Sequence, residues 1–189
     1  MKLGRLVDKP VTAAEAAKLG GIDFTVIQRD VYFATPTKNG GPPKFTKVPA
    51  RRANVREDTG EWLSFVSKDY PVVQYGEAFD FMDTVGPEFL AAGGLRGGKQ
   101  GFMVVRTDAR LDIAEDPHEM FGVLRTSHDC SRAVEVMVMP LRGKCMNQLT
   151  LRSFVKGVDH RWSVTHTGDV KGKLAAAHES IARLSEYAA

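Results

Sequence analysis

Gly97-Gly98, set between the runs Phe89–Arg96 and Lys99–Arg106, constrains the fold of this chain more than any other feature. Both glycines can take the positive φ of a two-residue hairpin turn, so the flanking runs are expected to pair as antiparallel strands. A second hairpin is written in Val48–Arg56 and Trp62–Ser67, with Glu57-Asp58-Thr59-Gly60 supplying the turn. The 18 glycines among 189 residues punctuate the remainder in the same way, which favours strands and turns over a helical bundle.

Helices are expected at few places. Thr12-Ala13-Ala14-Glu15 is a capping box, in which the Thr12 hydroxyl accepts from the Glu15 N–H and the Glu15 side chain reaches back. Gly20-Gly21 should end that helix. Ile22–Ala34 reads as a strand, and Thr35–Pro43, rich in glycine and proline, as a loop. From Tyr75 to Val85, Phe79, Met82 and Val85 recur at helical spacing, as do Ala78 and Phe81, until Gly86-Pro87 stops the run.

Arg110–Ile113 reads as a short strand broken by Asp116-Pro117. Met120–Thr126 and Arg132–Met139 read as a strand pair around Ser127–Ser131. Arg142–Val155 suits strand or helix, with a short helix from Met146 favoured, and Arg161–His166 reads as a last strand. A helix over residues 169–187, with Val170, Leu174, Ala177, Ile181 and Leu184 on one stripe, closes the sequence. No glycine or proline follows it, so the natural chain is expected to continue.

The expected fold is α+β: one domain over residues 1–189, a twisted, mainly antiparallel sheet of hairpins covered by two or three helices. This is loosely similar in architecture to the core of single-strand annealing recombination proteins, a likeness of fold alone.

Composition narrows the function classes. An apolar fraction of 43% with 26% charged residues is ordinary for a globular protein. No apolar run approaches the ~18 residues of a membrane span, and the N-terminus lacks the apolar stretch of a secretory signal. The expectation is a cytoplasmic protein without membrane partners. Two cysteines, Cys130 and Cys145, make no disulfide framework. With His128 they give three zinc donors at most, without CxxC or HxxxH spacing. No metal or cofactor is expected.

Polar chemistry concentrates in Ser127-His128-Asp129-Cys130-Ser131 and, beyond the apolar run, in Arg142 to Asn147. One reading is a hydrolase with Cys130 or Cys145 as nucleophile and His128 as base. Neighbours on a strand point to opposite faces, so His128 and Asp129 cannot easily serve one partner. The favoured reading is a structural polar turn of Ser127, His128 and Asp129, with Asn147, in which Asp129 accepts from backbone N–H groups. The chain is not expected to be an enzyme.

These landmarks, in order, resemble a family. Its marks are Gly21-Ile22-Asp23-Phe24, Arg56-Glu57-Asp58-Thr59-Gly60, Tyr70-Pro71-Val72-Val73-Gln74, Gly94-Leu95-Arg96-Gly97-Gly98, Ser127-His128-Asp129, Cys145-Met146-Asn147 and His166-Thr167-Gly168-Asp169. Together they resemble the phage/plasmid-like proteins, a domain of unknown function, from about Thr12 to Leu184. The resemblance implies a mobile-element origin and no established activity. Family members carry glycine where this chain has Cys130, so the connection is expected to be rearranged here.

The formal charge of +3 and the pI near 8.9 are mildly basic, and clustering matters more than the sum. Basic residues fall in pairs: Arg51-Arg52, Arg96 with Lys99, and Arg142 with Lys144. Lysines and arginines flanked by aromatic side chains are how proteins hold single strands without reading sequence. The expected function is therefore single-stranded DNA binding in recombination, annealing or replication. Those six residues would contact phosphates, Tyr70 or Tyr75 would stack on bases, and homo-oligomers are compatible with the role. The competing class is a protein that binds a host or phage factor through an apolar patch.

Overall fold

The structure is a computed structural model that describes residues 5–6, 11–86, 88–113, 116–141, 161–165, 169, 172–173 and 175–176. Its elements in chain order are β1 (Arg5–Leu6), α1 (Ala13–Leu19), β2 (Val26–Thr35), β3 (Lys44–Arg56), β4 (Trp62–Ser67) and α2 (Tyr75–Phe79). A 3-10 turn over Asp80–Thr84 leads to β5 (Glu88–Leu95), β6 (Gln100–Ile113), β7 (Asp116–Ser127), β8 (Val134–Leu141) and β9 (Arg161–Val164).

Strands dominate, and every pairing is antiparallel. They form a six-stranded sheet of order β1-β5-β6-β7-β8-β9 and a three-stranded sheet of order β2-β3-β4. The architecture is α+β in the broad sense, with two sheets where one was expected. Its helical part is thinner than expected: α1 has seven residues and α2 five, and the 3-10 turn carries the latter run onward. Of the C-terminal helix expected over 169–187, only a few residues are described.

Local chemistry explains the short elements. Thr12 caps α1 with its hydroxyl on the Glu15 N–H at 3.3 Å, and the Glu15 carboxylate returns to the Thr12 N–H at 3.0 Å. Gly20 caps the helix where it runs against β5, since a Cβ there would sit 2.7 Å from the Ala92 carbonyl carbon, and Gly21 at φ 67° then turns the chain out of the helix. Asp116-Pro117 does not break a strand but opens β7, where Ile113 pairs with Asp116 and Asp112 with Pro117.

The main core joins α1, α2 and the 3-10 turn to one face of the large sheet, through Ala16, Phe79, Met82, Met103, Val105 and Leu124. The opposite face carries a second cluster around Phe102, Val104, Phe121, Val123 and Met137. Arg125 and Glu135 form a buried ion pair, and Arg132 approaches the same carboxylate at 3.6 Å. Arg106 likewise lies between Glu88 at 2.7 Å and Glu119 at 3.5 Å. Arg125 and Arg106 thus bridge neighbouring strands of the large sheet. Among the described residues no helix is long and apolar enough to cross a membrane.

Candidate nucleic-acid interface

His128 is the joint between the two sheets. Its N–H donates to the Lys99 carbonyl at 2.8 Å, which ties the β7–β8 connection to the start of β6. Its carbonyl accepts from the Asn54 amide at 3.0 Å and from the Ser64 hydroxyl. Asn54 and Ser64 face each other across β3 and β4, so one face of the small sheet is fastened onto the large one. The imidazole is 1% exposed and lies against Tyr75, centroid to centroid 4.1 Å, with Phe24 at 6.3 Å.

The rest of the polar turn closes on itself. Ser127 and Arg132 bridge it through the Ser127 hydroxyl, which accepts from the Arg132 N–H at 3.0 Å and donates to the Arg132 carbonyl at 3.1 Å. The Asp129 carboxylate accepts from the Ser131 N–H at 3.0 Å and from its hydroxyl, and the Gln100 amide donates to Ser131 Oγ at 2.7 Å. Burial works to raise the Asp129 carboxyl. The bonds from Ser131 and Ser127 and the charge of Arg96 outweigh it and hold Asp129 below the usual carboxylate range. Asn147 lies outside the described residues.

Cys130 takes φ 59°, the left-handed conformation that favours glycine. Burial pushes its thiol up, a hydrogen bond from Tyr70 opposes that, and the Asp129 charge adds to the rise. A thiol held protonated is a poor nucleophile. A side chain in this backbone region costs about 1–2 kcal/mol. Cys130→Gly is therefore expected to stabilise the protein by up to about 1 kcal/mol, read as a higher urea midpoint. A lower midpoint would mean that the Cys130 contact with Tyr70 outweighs the strain.

Neither of the two tyrosines expected to stack on bases is among the exposed residues. Tyr75 is 0% exposed. Its hydroxyl donates to the Gly98 carbonyl at 2.9 Å, and its ring packs with Phe24 at 5.5 Å and Phe79 at 5.7 Å. Tyr70 is half-buried, and burial followed by the neighbouring Cys130 drives its phenol well above the usual range. Both belong to the packing around the joint.

The exposed aromatics are elsewhere. On the small sheet's outer face, opposite Asn54 and Ser64, Trp62 and Phe65 are 47% and 57% exposed and lie 5.2 Å apart. The register bulge between Asn54 and Val55 puts them on one face: Val55 pairs with Trp62 and Ala53 with Phe65. In the same two rows across the sheet stand Ile27 and Arg29 of β2. Ala53 between Arg29 and Phe65 is small, which leaves the platform shallow.

Cations flank this platform. Lys99 Nζ sits 4.2 Å from the centre of the Trp62 ring, close enough for a cation–π contact. Arg96, exposed with φ 53°, tops the same β5–β6 turn. Arg51 pairs with Ser67 in the row after Phe65 and shares its face, whereas Arg52 turns the other way and meets Asp30. The structure therefore brings Arg51 and Lys99 to one surface, leaves Arg96 on the turn that carries Lys99, where its charge acts on Asp129, and commits Arg52 to an ion pair. Arg142 and Lys144 lie outside the described residues. Phe65 and Arg29 were not singled out from the sequence, although Arg29 lies in its most basic stretch. Residues 26–56 hold seven lysines and arginines against one aspartate, net +6, while the rest of the chain carries −3.

Among the described residues no group of three or more histidine, cysteine, aspartate or glutamate side chains could hold a metal ion. No curated protein and no solved structure matches the chain. One family does match, over residues 62–189, from the first residue of β4 onward rather than from Thr12. The platform tryptophan thus opens the matched segment, and β2 and β3 precede it. On that match the chain belongs to the family described as a domain of unknown function, DUF932.

Proposed function

We propose that this protein binds single-stranded nucleic acid, DNA foremost, on the outer face of the β2-β3-β4 sheet, as an accessory of phage or plasmid DNA metabolism. The observation that carries this reading is the exposed Trp62–Phe65 pair on the sheet whose other two strands, β2 and β3, lie in the most basic part of the chain. Every base offers a π-face, so two exposed rings hold a strand without regard to sequence. Lys99, Arg96, Arg51 and Arg29 would meet the phosphates on either side, and phosphate contacts carry affinity but no sequence information.

Among the described residues covalent chemistry has little support, and Cys145 lies outside them. His128 is enclosed by Tyr75 and Phe24, and the Cys130 thiol is held protonated.

Titration of labelled oligonucleotides at two salt concentrations tests the proposal. With ~4 phosphates neutralised, log K should fall with log salt at a slope of about −3, since each single-strand contact contributes about −0.7. Arg51→Glu and Lys99→Glu should each weaken binding to all sequences alike. No binding at low salt, where a basic surface attracts nucleic acid most strongly, would end this reading and favour a host-protein partner instead.

A further inference from the structure

The outer strands of the platform do not stop at its edge. Asp30 pairs with Arg52, and the next pair is Tyr32 with Lys47. Where β2 has Val31 alone, β3 has the four residues 48–51. Pro49 lies in that excess and cannot donate a ladder hydrogen bond. Here the two strands leave β4 and continue as a two-stranded ribbon, with Tyr32–Thr35 paired to Lys44–Lys47.

Every residue from 32 to 47 is exposed. Tyr32, Phe33 and Phe45 are 53%, 54% and 66% exposed. Across the pairing Tyr32 lies on one face with Phe45, and Phe33 on the other. The tip is held by its own bonds: the Gly40 N–H donates to the Thr37 carbonyl at 3.3 Å, and the Thr37 hydroxyl donates to the Gly41 carbonyl at 2.8 Å. Between residues 31 and 50 there are three lysines and no acid. Lys47 is paired to Asp30 at 2.6 Å. Among the described residues Lys38 and Lys44 have no ion-pair partner.

We infer that this ribbon grips the duplex side of a single-strand to double-strand junction while the platform holds the unpaired strand. This rests on the single-strand reading above and names its substrate class. A two-stranded ribbon fits the major groove of B-DNA, about 12 Å wide, and a projection with only positive charge suits phosphate-lined walls better than a protein surface. The exposed rings give it apolar contacts for base edges or for the last base pair at the fork. Because β2 and β3 build both surfaces, one molecule of tailed duplex can reach both, and the second contact becomes intramolecular.

Affinities for a single strand, a blunt duplex and a tailed duplex decide it, compared in the wild-type protein and in Lys38→Glu/Lys44→Glu. The tailed duplex should bind the wild-type protein at least about tenfold more tightly than either component. The double variant should lose that advantage while keeping its single-strand affinity, and its salt slope on tailed duplex should be shallower by about 2, at about −0.9 per duplex phosphate. Equal affinity for tailed duplex and single strand overturns the inference and leaves the single-strand reading standing. Equal loss on both substrates in the variant also overturns it, because the ribbon would then only lengthen the single-strand path. A dimer in sedimentation that Phe33→Ser/Phe45→Ser disperses without touching DNA affinity assigns the ribbon to a second copy of this chain and overturns it too. Absence of binding to any oligonucleotide removes both readings together.

Discussion

Tyr75→Ala should lower stability by about 3–5 kcal/mol, the usual cost of emptying a large aromatic site in a core. Tyr75 has no exposed surface, and its ring is in contact with Phe24, Phe79 and His128. Truncation would leave a cavity under the joint between the sheets and a Gly98 carbonyl without its hydroxyl donor. Relaxation cannot readily fill the space, because Gly101 already lies against the ring: a Cβ there would approach it to 2.9 Å. For a chain of this size the loss corresponds to a melting temperature lower by roughly 6–20 °C. Tyr75→Phe, which keeps the ring and removes one hydrogen bond, should cost only about 0.5–1.5 kcal/mol. Thermal melts of the two variants check this. If Tyr75→Phe instead melts like the wild-type protein and binds oligonucleotides more weakly, the hydroxyl has a part in binding that its burial denies.

Trp62→Ala/Phe65→Ala should do the opposite, removing binding while sparing the fold. Base stacking on an aromatic side chain contributes about 1–3 kcal/mol per base, so the pair should cost about 2–6 kcal/mol. That is a loss of roughly 30-fold at least, enough to take a micromolar site out of the measurable range at moderate salt. Both rings are about half exposed, so the melting temperature should move little. Anisotropy with labelled oligonucleotide, alongside a melt, separates the effects. Unchanged affinity in a folded double variant would detach the platform from nucleic acid altogether. Lys99 provides an internal control. Its contact with the indole vanishes in Trp62→Ala, so adding Lys99→Glu should cost no more than the charge itself.

These two predictions contrast the aromatic expected to stack with the ones that face solvent, and the difference can be traced to particular residues. The start of α1 was readable from four letters because the capping box is closed within Thr12–Glu15. The hairpins at Gly97-Gly98 and Glu57–Gly60 were readable for the same reason, although the first turn spans the four residues Arg96–Lys99 instead of the two glycines alone, with Arg96 as well as both glycines at positive φ. The burial of Tyr75 was also within reach, because Ala78 and Phe79 follow it at spacings of three and four on the helical stripe.

The platform was not readable in this way. Strict alternation along Trp62-Leu63-Ser64-Phe65-Val66-Ser67 puts Trp62 with Ser64 and Val66, facing inward. The bulge against β3 turns Trp62 to the side of Phe65 and buries both Leu63 and Ser64. A bulge arises from pairing between strands, so no periodicity within one strand reports it. Turns and caps were set by neighbours along the chain, where short-range sterics and charge act. Which aromatics became core, which faced solvent, and how His128 came to join two sheets were set by contacts such as Asn54 to His128, 74 positions apart. Only the folded chain brings those groups within hydrogen-bonding distance.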